Sequence, residues 1–194
     1  MRIIAGLARG RKLLAPGARF GKLVRPTSDR AREAIFNILG TRVAGAAVLD
    51  LFAGTGALGL EALSRGAELA VFVEGDRAVL ELLGKNASIC GFADRSILLR
   101  RDLGHGLAFL GAVRPERGFD LVFLDPPYGR KIAHSLLDSL SCGQYLSGRA
   151  VVVVEDAALE QYPEVAGALR CFDRRRYGEA GFWLYCGKEA EISE

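Results

Sequence analysis

Leu49-Asp50-Leu51-Phe52-Ala53-Gly54-Thr55-Gly56-Ala57-Leu58-Gly59 is the stretch from which the rest of the chain can be read. Residues 47–51 are an apolar strand run and residues 57–65 have helical spacing, so the glycines sit in a strand–turn–helix. Glycines let backbone approach a ligand closely. In open parallel sheets, ligands bind beyond the carboxyl ends of strands, near the topological switch point. Gly54, Gly56 and Gly59 satisfy G-x-G-x-x-G, which by itself suggests a dinucleotide. Asp50 argues otherwise. A carboxylate at the end of the strand, four residues before the first glycine, suits a cationic amine or sulfonium better than a pyrophosphate.

The alternation continues outward. Strands are predicted at 69–73, 96–99, 119–124 and 150–154, and helices at 77–90, 103–113, 131–140 and 157–166. Two last strands, near 168–173 and 182–186, have too short a connection for a helical crossover and are expected to be antiparallel. Near-continuous apolar strands alternating with helices predict an α/β fold whose mostly parallel sheet is covered on both faces. Upstream, Thr27-Ser28-Asp29 offers N-cap residues to a helix with apolar Ala31, Ala34, Ile35, Ile38 and Leu39, which Gly40 stops. Residues 1–14 read as a small hairpin and 15–26 as a loop. The expected organisation is a basic β-hairpin extension (1–26), a catalytic domain (27–188) and a short tail (189–194).

Composition narrows the class. The chain has 194 residues, half of them hydrophobic and a quarter charged, which excludes a disordered chain and fits one domain of ordinary size. The richest apolar stretch, 43–63, is interrupted by Asp50 and Glu61, so no transmembrane helix is expected. The N-terminus carries no secretory signal pattern. Cys90, Cys142, Cys171 and Cys186 form no Cys-x-x-Cys pair, and only two histidines accompany them, so no metal site is expected. A cytoplasmic protein with reduced thiols is the simplest reading, and a monomer is expected. Residues 1–45 hold ten Lys or Arg against Asp29 and Glu33, a net +8, whereas residues 46–194 hold 16 basic and 21 acidic residues, a net −5. A basic segment on a mildly acidic body attracts a polyanion, most commonly nucleic acid. Arg25, Arg30 and Arg32 cluster near the start of the first helix.

Two further sets of residues carry chemistry. Glu74 ends the second strand, where a carboxylate can accept hydrogen bonds from both ribose hydroxyls. Asp102, just past the third strand, is placed to accept one from an adenine amino group. Asp50, Glu74 and Asp102 at three successive strand ends fit S-adenosylmethionine. Asp125-Pro126-Pro127-Tyr128 follows the fourth strand. An exocyclic amine on a nucleobase is a poor nucleophile because its lone pair is delocalised into the ring. The Asp125 carboxylate and the Pro126 carbonyl can accept its N–H bonds and aim it at an electrophilic methyl. Two prolines stiffen the loop that holds these acceptors, and Tyr128 is placed to stack on a base turned out of its helix.

These motifs resemble class I S-adenosylmethionine-dependent methyltransferases of the amino-methylating kind, with their (D/N)-P-P-(Y/F) signature. A closer resemblance, to the bacterial RsmD family, runs over most of the chain. It is carried by Arg2-Ile3-Ile4-Ala5-Gly6, Arg9-Gly10-Arg11-Lys12-Leu13, Arg25 to Glu33, Phe36-Asn37, LDLFAGTGALGLEALSRG (49–66), the DPPY segment, Glu155 and Tyr177-Gly178. The resemblance implies a Rossmann-like, seven-stranded sheet with an antiparallel C-terminal hairpin and a small N-terminal β extension. It implies methylation of a guanine N2 in 16S rRNA, on assembled 30S subunits. Its cofactor residues are Asp50, Phe52, Ala53, Gly54, Thr55, Gly56, Glu74, Asp102, Leu103 and Asp125. Its catalytic loop is Asp125, Pro126, Pro127 and Tyr128. Its RNA contacts are Arg2, Arg9, Arg11, Lys12, Arg25, Arg30 and Arg32.

Rival readings share parts of this pattern. An N6-adenine DNA methyltransferase shares the DPPY loop but usually needs a separate target-recognition domain, for which 194 residues leave little room. A glutamine N5 methyltransferase favours Asn where Asp125 stands. A non-catalytic ribosome-binding factor would not need Asp50, Glu74 and Asp125 together. A nicotinamide-dependent oxidoreductase would leave DPPY without a role.

Overall fold

Every residue of strand β1 (Ala47–Leu51) is buried, Asp50 included. The computed structural model describes residues 1–15, 28–127 and 132–187. It divides into two units, Met1–Arg101 and Asp102–Glu194.

In the first unit, helix α1 (Asp29–Leu39) starts where the Ser28 hydroxyl accepts the Ala31 N–H at 3.1 Å and ends at Gly40. β1 is followed by α2 (Ala57–Ser64), β2 (Leu69–Glu74), α3 (Arg77–Cys90) and β3 (Ser96–Arg100). The strands are parallel in the order β3-β2-β1. Asp50 stands opposite Phe72 and Glu74 opposite Arg100, so β1 and β2 bring their acids to the same sheet end. α2 packs on β1 and β2 through Leu58, Leu60 and Leu63, and α3 packs through Val79, Leu83 and Ala87. Each such Leu or Val side chain, fully buried, contributes on the order of 1.5–3 kcal/mol. The Asp76 carboxylate caps α3 by accepting from Ala78 and Val79, at 2.7 and 3.1 Å.

The N-terminal segment is held by side chains rather than by a strand ladder. Its hairpin reduces to one antiparallel bridge, Arg2 to Lys12. Buried Glu61 on α2 accepts the N–H groups of Ile4 and Ala5, at 2.7 and 3.0 Å, and the Arg65 Nε–H at 2.7 Å. Ser64 accepts from Ala8 at 2.9 Å and donates to the Ala5 carbonyl. Gly6, at φ +80°, lies so close to the Ser64 carbonyl that a Cβ there would overlap it.

The second unit holds β4 (Phe119–Leu124), α4 (Ile132–Cys142), β5 (Leu146–Ala157), β6 (Val165–Ala166), β7 (Leu169–Tyr177) and β8 (Ala180–Gly187). Its strand order is β4-β5-β8-β7-β6; β4 and β5 are parallel and the other pairs antiparallel. The described residues therefore hold eight strands, the two-residue β6 being one more than the seven expected.

Two predicted helices are absent. At 103–113 there are two short 3-10 turns, Leu103–His105 and Ala108–Ala112, because Gly104, Gly106 and Gly111 interrupt the run and Gly106 sits at φ +82°. At 157–166 the chain is irregular until β6. β5 runs on through Ala157 beside β8, and Ala158 then donates to Glu179 at 2.8 Å, so sheet pairing takes the backbone that a helix would have used. Pro163 also removes a helix donor there. No described helix is long and apolar enough to cross a membrane.

Candidate active site

The glycine loop leaves β1 through a strained residue. Phe52 has φ +61°, the one non-glycine residue at positive φ among those described. Such a conformation costs about 1–3 kcal/mol and tends to mark functional sites. Gly54 and Gly56 follow at φ +53° and +81°. A Cβ on Gly54 would meet nothing nearer than the Phe52 carbonyl at 3.9 Å, so the loop face there is open to a ligand. Gly59 has the opposite reason to be glycine: a Cβ there would strike the Phe72 ring.

Two carboxylates brace this loop. Asp50, 1% exposed, accepts the Gly59 N–H at 2.9 Å and so ties the end of β1 to the first turn of α2. Burial raises its pKa to about 7; the Gly59 hydrogen bond pulls it down and Glu74 pushes it up. Glu74 accepts the Gly54 N–H on Oε2 at 3.1 Å and the Asp76 N–H on Oε1 at 2.9 Å. A carboxylate has about four lone-pair sites, so each oxygen retains capacity for a hydroxyl. An open glycine face, a carboxylate with spare acceptors and a buried acid beneath it fit a ribose-bearing, cationic cofactor. Ala53 and Thr55 complete the loop; both are buried.

Asn86 is a site residue that the motifs did not single out. It is fully buried on α3 and its amide donates to the Thr55 carbonyl at 2.9 Å and the Leu14 carbonyl at 3.1 Å. Its oxygen accepts the Leu14 N–H at 2.7 Å. One side chain thus joins the glycine loop to the basic N-terminal segment. A signal existed: Val79, Leu83, Asn86, Ala87 and Cys90 share the buried face of α3, and an amide on that face needs partners.

In the second unit, Asp125 directly follows β4, which is buried throughout. Asp125 and Pro127 are half-buried and Pro126 is buried; Tyr128 lies outside the described residues. Asp102 is exposed, accepts the Gly104 N–H at 2.9 Å, and lies 3.8 Å from His105; Leu103 beside it is buried.

The predicted RNA contacts divide. Arg2, Arg9, Arg11, Lys12 and Arg30 are exposed. Arg2 lies 3.5 Å from Asp29, and Arg11 donates to the Ile89 carbonyl at 2.7 Å. Arg25 is outside the described residues. Arg32 corrects the expectation, being buried with 0% exposure, where no phosphate reaches it. It donates from Nη2 to the Arg2 carbonyl at 2.7 Å and to Asp29 at 2.8 Å. Burial lowers its pKa, against the opposing pull of Asp29 and Glu61. Helical spacing from Ala31, Ile35 and Leu39 turned this basic residue inward to hold the N-terminal segment.

Known proteins match this arrangement. The family model described as "Conserved hypothetical protein 95" matches residues 1–186. "Ribosomal RNA small subunit methyltransferase D" of Escherichia coli (strain K12) is 35% identical over 187 residues, covering 95% of this chain and 89% of that one. The protein of the same name from Haemophilus influenzae is 38% identical over 157 residues, covering 80% and 78%. A solved chain from Escherichia coli superposes with a TM-score of 0.81 at 34% identity, covering 97% of this chain and 98% of that one. At 19% identity, an RNA methyltransferase from Salinibacter ruber, solved with S-adenosyl-L-homocysteine, shares the fold with a TM-score of 0.62, covering 88% and 97%.

Fold, glycine loop and carboxylates together define a class I, Rossmann-like methyltransferase that uses S-adenosylmethionine. Within that class the match over nearly the whole length is decisive: the chain belongs to the RsmD family.

Proposed function

We propose that this protein methylates the exocyclic N2 of a guanine in 16S rRNA, acting as a cytoplasmic monomer on assembled small ribosomal subunits. The observation that carries the reading is Asp125-Pro126-Pro127 at the end of a fully buried strand, in a chain of this family. S-adenosylmethionine, when bound, supplies an electrophilic methyl on a sulfonium. Glu74 accepts hydrogen bonds from the ribose hydroxyls, the backbone of residues 52–56 frames the cofactor, Asp102 and Leu103 receive the adenine, and Asp50 braces the loop from beneath through the Gly59 N–H. Asp125 and the Pro126 carbonyl accept the two N–H bonds of the amine, which turns its lone pair toward the methyl. As the amine takes the methyl, the sulfonium S–C bond would break with its electron pair returning to sulfur, S-adenosylhomocysteine would leave, and Asp125 takes the proton that the amine releases. Tyr128 stacks on the extruded base. The exposed Arg2, Arg9, Arg11, Lys12 and Arg30, together with Arg25, bind phosphates.

The test offers radiolabelled S-adenosylmethionine in parallel with unmodified 30S subunits, naked 16S rRNA and duplex DNA, followed by digestion to nucleosides. Labelled N2-methylguanosine from the 30S sample is expected. N6-methyladenine from the DNA would move the protein to the DNA class. Label in none of the three, with cofactor still bound, would point to a protein substrate or a binding role.

A further inference from the structure

Strand β7 carries charge that the proposed mechanism leaves unused. Its nine residues hold Arg170, Arg174, Arg175 and Arg176 against Asp173, a net +3, in a unit (102–194) whose ten basic and fourteen acidic residues sum to −4. All four arginines are exposed. β6 pairs with only the first two residues of β7, and β8 pairs along the whole strand from the other side.

The register sorts the arginines. Directly paired residues of an antiparallel ladder share a sheet face. Arg174 pairs with Trp183 and Arg176 with Gly181, which places both on one face. Two positions along a strand separate them by roughly 7 Å. Arg175 pairs with Phe182, on the other face, and is occupied by its own Asp173 at 3.0 and 3.2 Å. Arg176 gives its Nε–H to the Gly178 carbonyl at 3.1 Å, a neutral partner that orients the guanidinium without cancelling its charge. Arg174 meets an acid only loosely, Glu164 at 3.9 Å, with both side chains solvated.

We propose that β7 is a second RNA-contacting surface, with Arg174 and Arg176 as its phosphate ligands and the RNA backbone as its occupant. This rests on the RNA reading above and extends it to a part of the chain remote in sequence from the basic N-terminus. Planar guanidiniums pair with phosphate oxygens bidentately, and a rigid ladder holds them at fixed separation. Charges on an edge strand also guard against sheet-to-sheet aggregation; that role needs charge of either sign, whereas phosphate binding needs positive charge.

The experiment measures binding of the full chain to naked 16S rRNA by fluorescence anisotropy across a salt series, for wild type, R174E/R176E, R174Q/R176Q and R9E/R11E. Thermal melting selects the folded variants, the Gln pair being the milder change. Both β7 variants are expected to bind at least tenfold more weakly near about 0.1 M salt, with the log–log salt slope reduced by about 1.4, for two phosphate contacts on single-stranded RNA. S-adenosylmethionine affinity is expected to stay unchanged. Wild-type affinity and slope in the β7 variants, with a loss in R9E/R11E, would overturn the β7 surface and leave the RNA reading standing. Absence of wild-type binding both to naked 16S rRNA and, in the same assay, to unmodified 30S subunits would overturn both.

Discussion

Asp50 holds a proton that an exposed aspartate would have lost by neutral pH, because burial at the end of β1 disfavours its charge. The consequence for stability has a definite sign. Below the ordinary pKa of 3.8 the group is protonated in both folded and unfolded chains; between there and about 7 only the folded chain keeps the proton. Its contribution to stability is therefore full at low pH and declines as pH rises toward about 7, then levels. Chemical denaturation of wild type and Asp50→Asn at pH 5 and pH 8 should show a larger fall in the wild type, since other groups act equally in both. A parallel fall would refute the assignment. Asp125 makes a different prediction. Asp125→Ala should lower turnover by about 10²–10⁴-fold while S-adenosylmethionine binding, measured by calorimetry, changes little. Near-normal turnover would remove Asp125 from the catalytic role.

At the scale of elements, α2 and α3 organise the first unit from both of its working ends. α2 presents Glu61 and Ser64 to the N-terminal segment, and α3 presents Asn86 to that segment and to the glycine loop. Asn86→Ala strands a buried Thr55 carbonyl and both Leu14 backbone groups. Each buried polar group left unpaired costs about 1–3 kcal/mol. The variant should unfold at lower denaturant and bind the cofactor more weakly, because Thr55 belongs to the loop. Unchanged cofactor affinity in a destabilised protein would limit Asn86 to a structural role. Gly6→Ala should cost about 1–3 kcal/mol by overpacking against Ser64, on top of its positive φ. Denaturant midpoints would check it, and a wild-type midpoint would show that the N-terminal segment is not seated on α2.

For the whole molecule, charge is divided unevenly: the first 45 residues carry +8 and the remainder −5. RNA affinity should therefore fall with salt, and Arg9→Ala with Arg11→Ala should weaken RNA binding and flatten the salt slope without altering cofactor affinity. Binding titrations at three salt concentrations would test this; equal slopes for variant and wild type would exclude phosphate contacts there. Much of the architecture was legible beforehand. The glycine loop, strands β1 to β5, four helices and the antiparallel end all fall where apolar periodicity placed them, because burial patterns repeat with the period of the element that makes them. The helices predicted at 103–113 and 157–166 failed for the converse reason. Their apolar residues are spaced helically, yet glycines in one and sheet pairing in the other claim the backbone.

By itself, the sequence determined the fold class, the family and the identity of the chemical groups, since strand runs, glycine spacing and Asp125-Pro126-Pro127 are local patterns. Only the tertiary structure decided which of those groups face solvent and which are spent inside. Arg32 and Arg30 are alike in sequence, but helix phase buries one and exposes the other. Asp50 reads as a ligand acid, yet its oxygen is spent on Gly59 and its charge is suppressed. Asn86 reads as an ordinary helix residue until its partners, 31 and 72 positions away, are seen. Periodicity reports which face of an element turns inward. The partner that meets it there comes from distant chain, and only the packed structure supplies it.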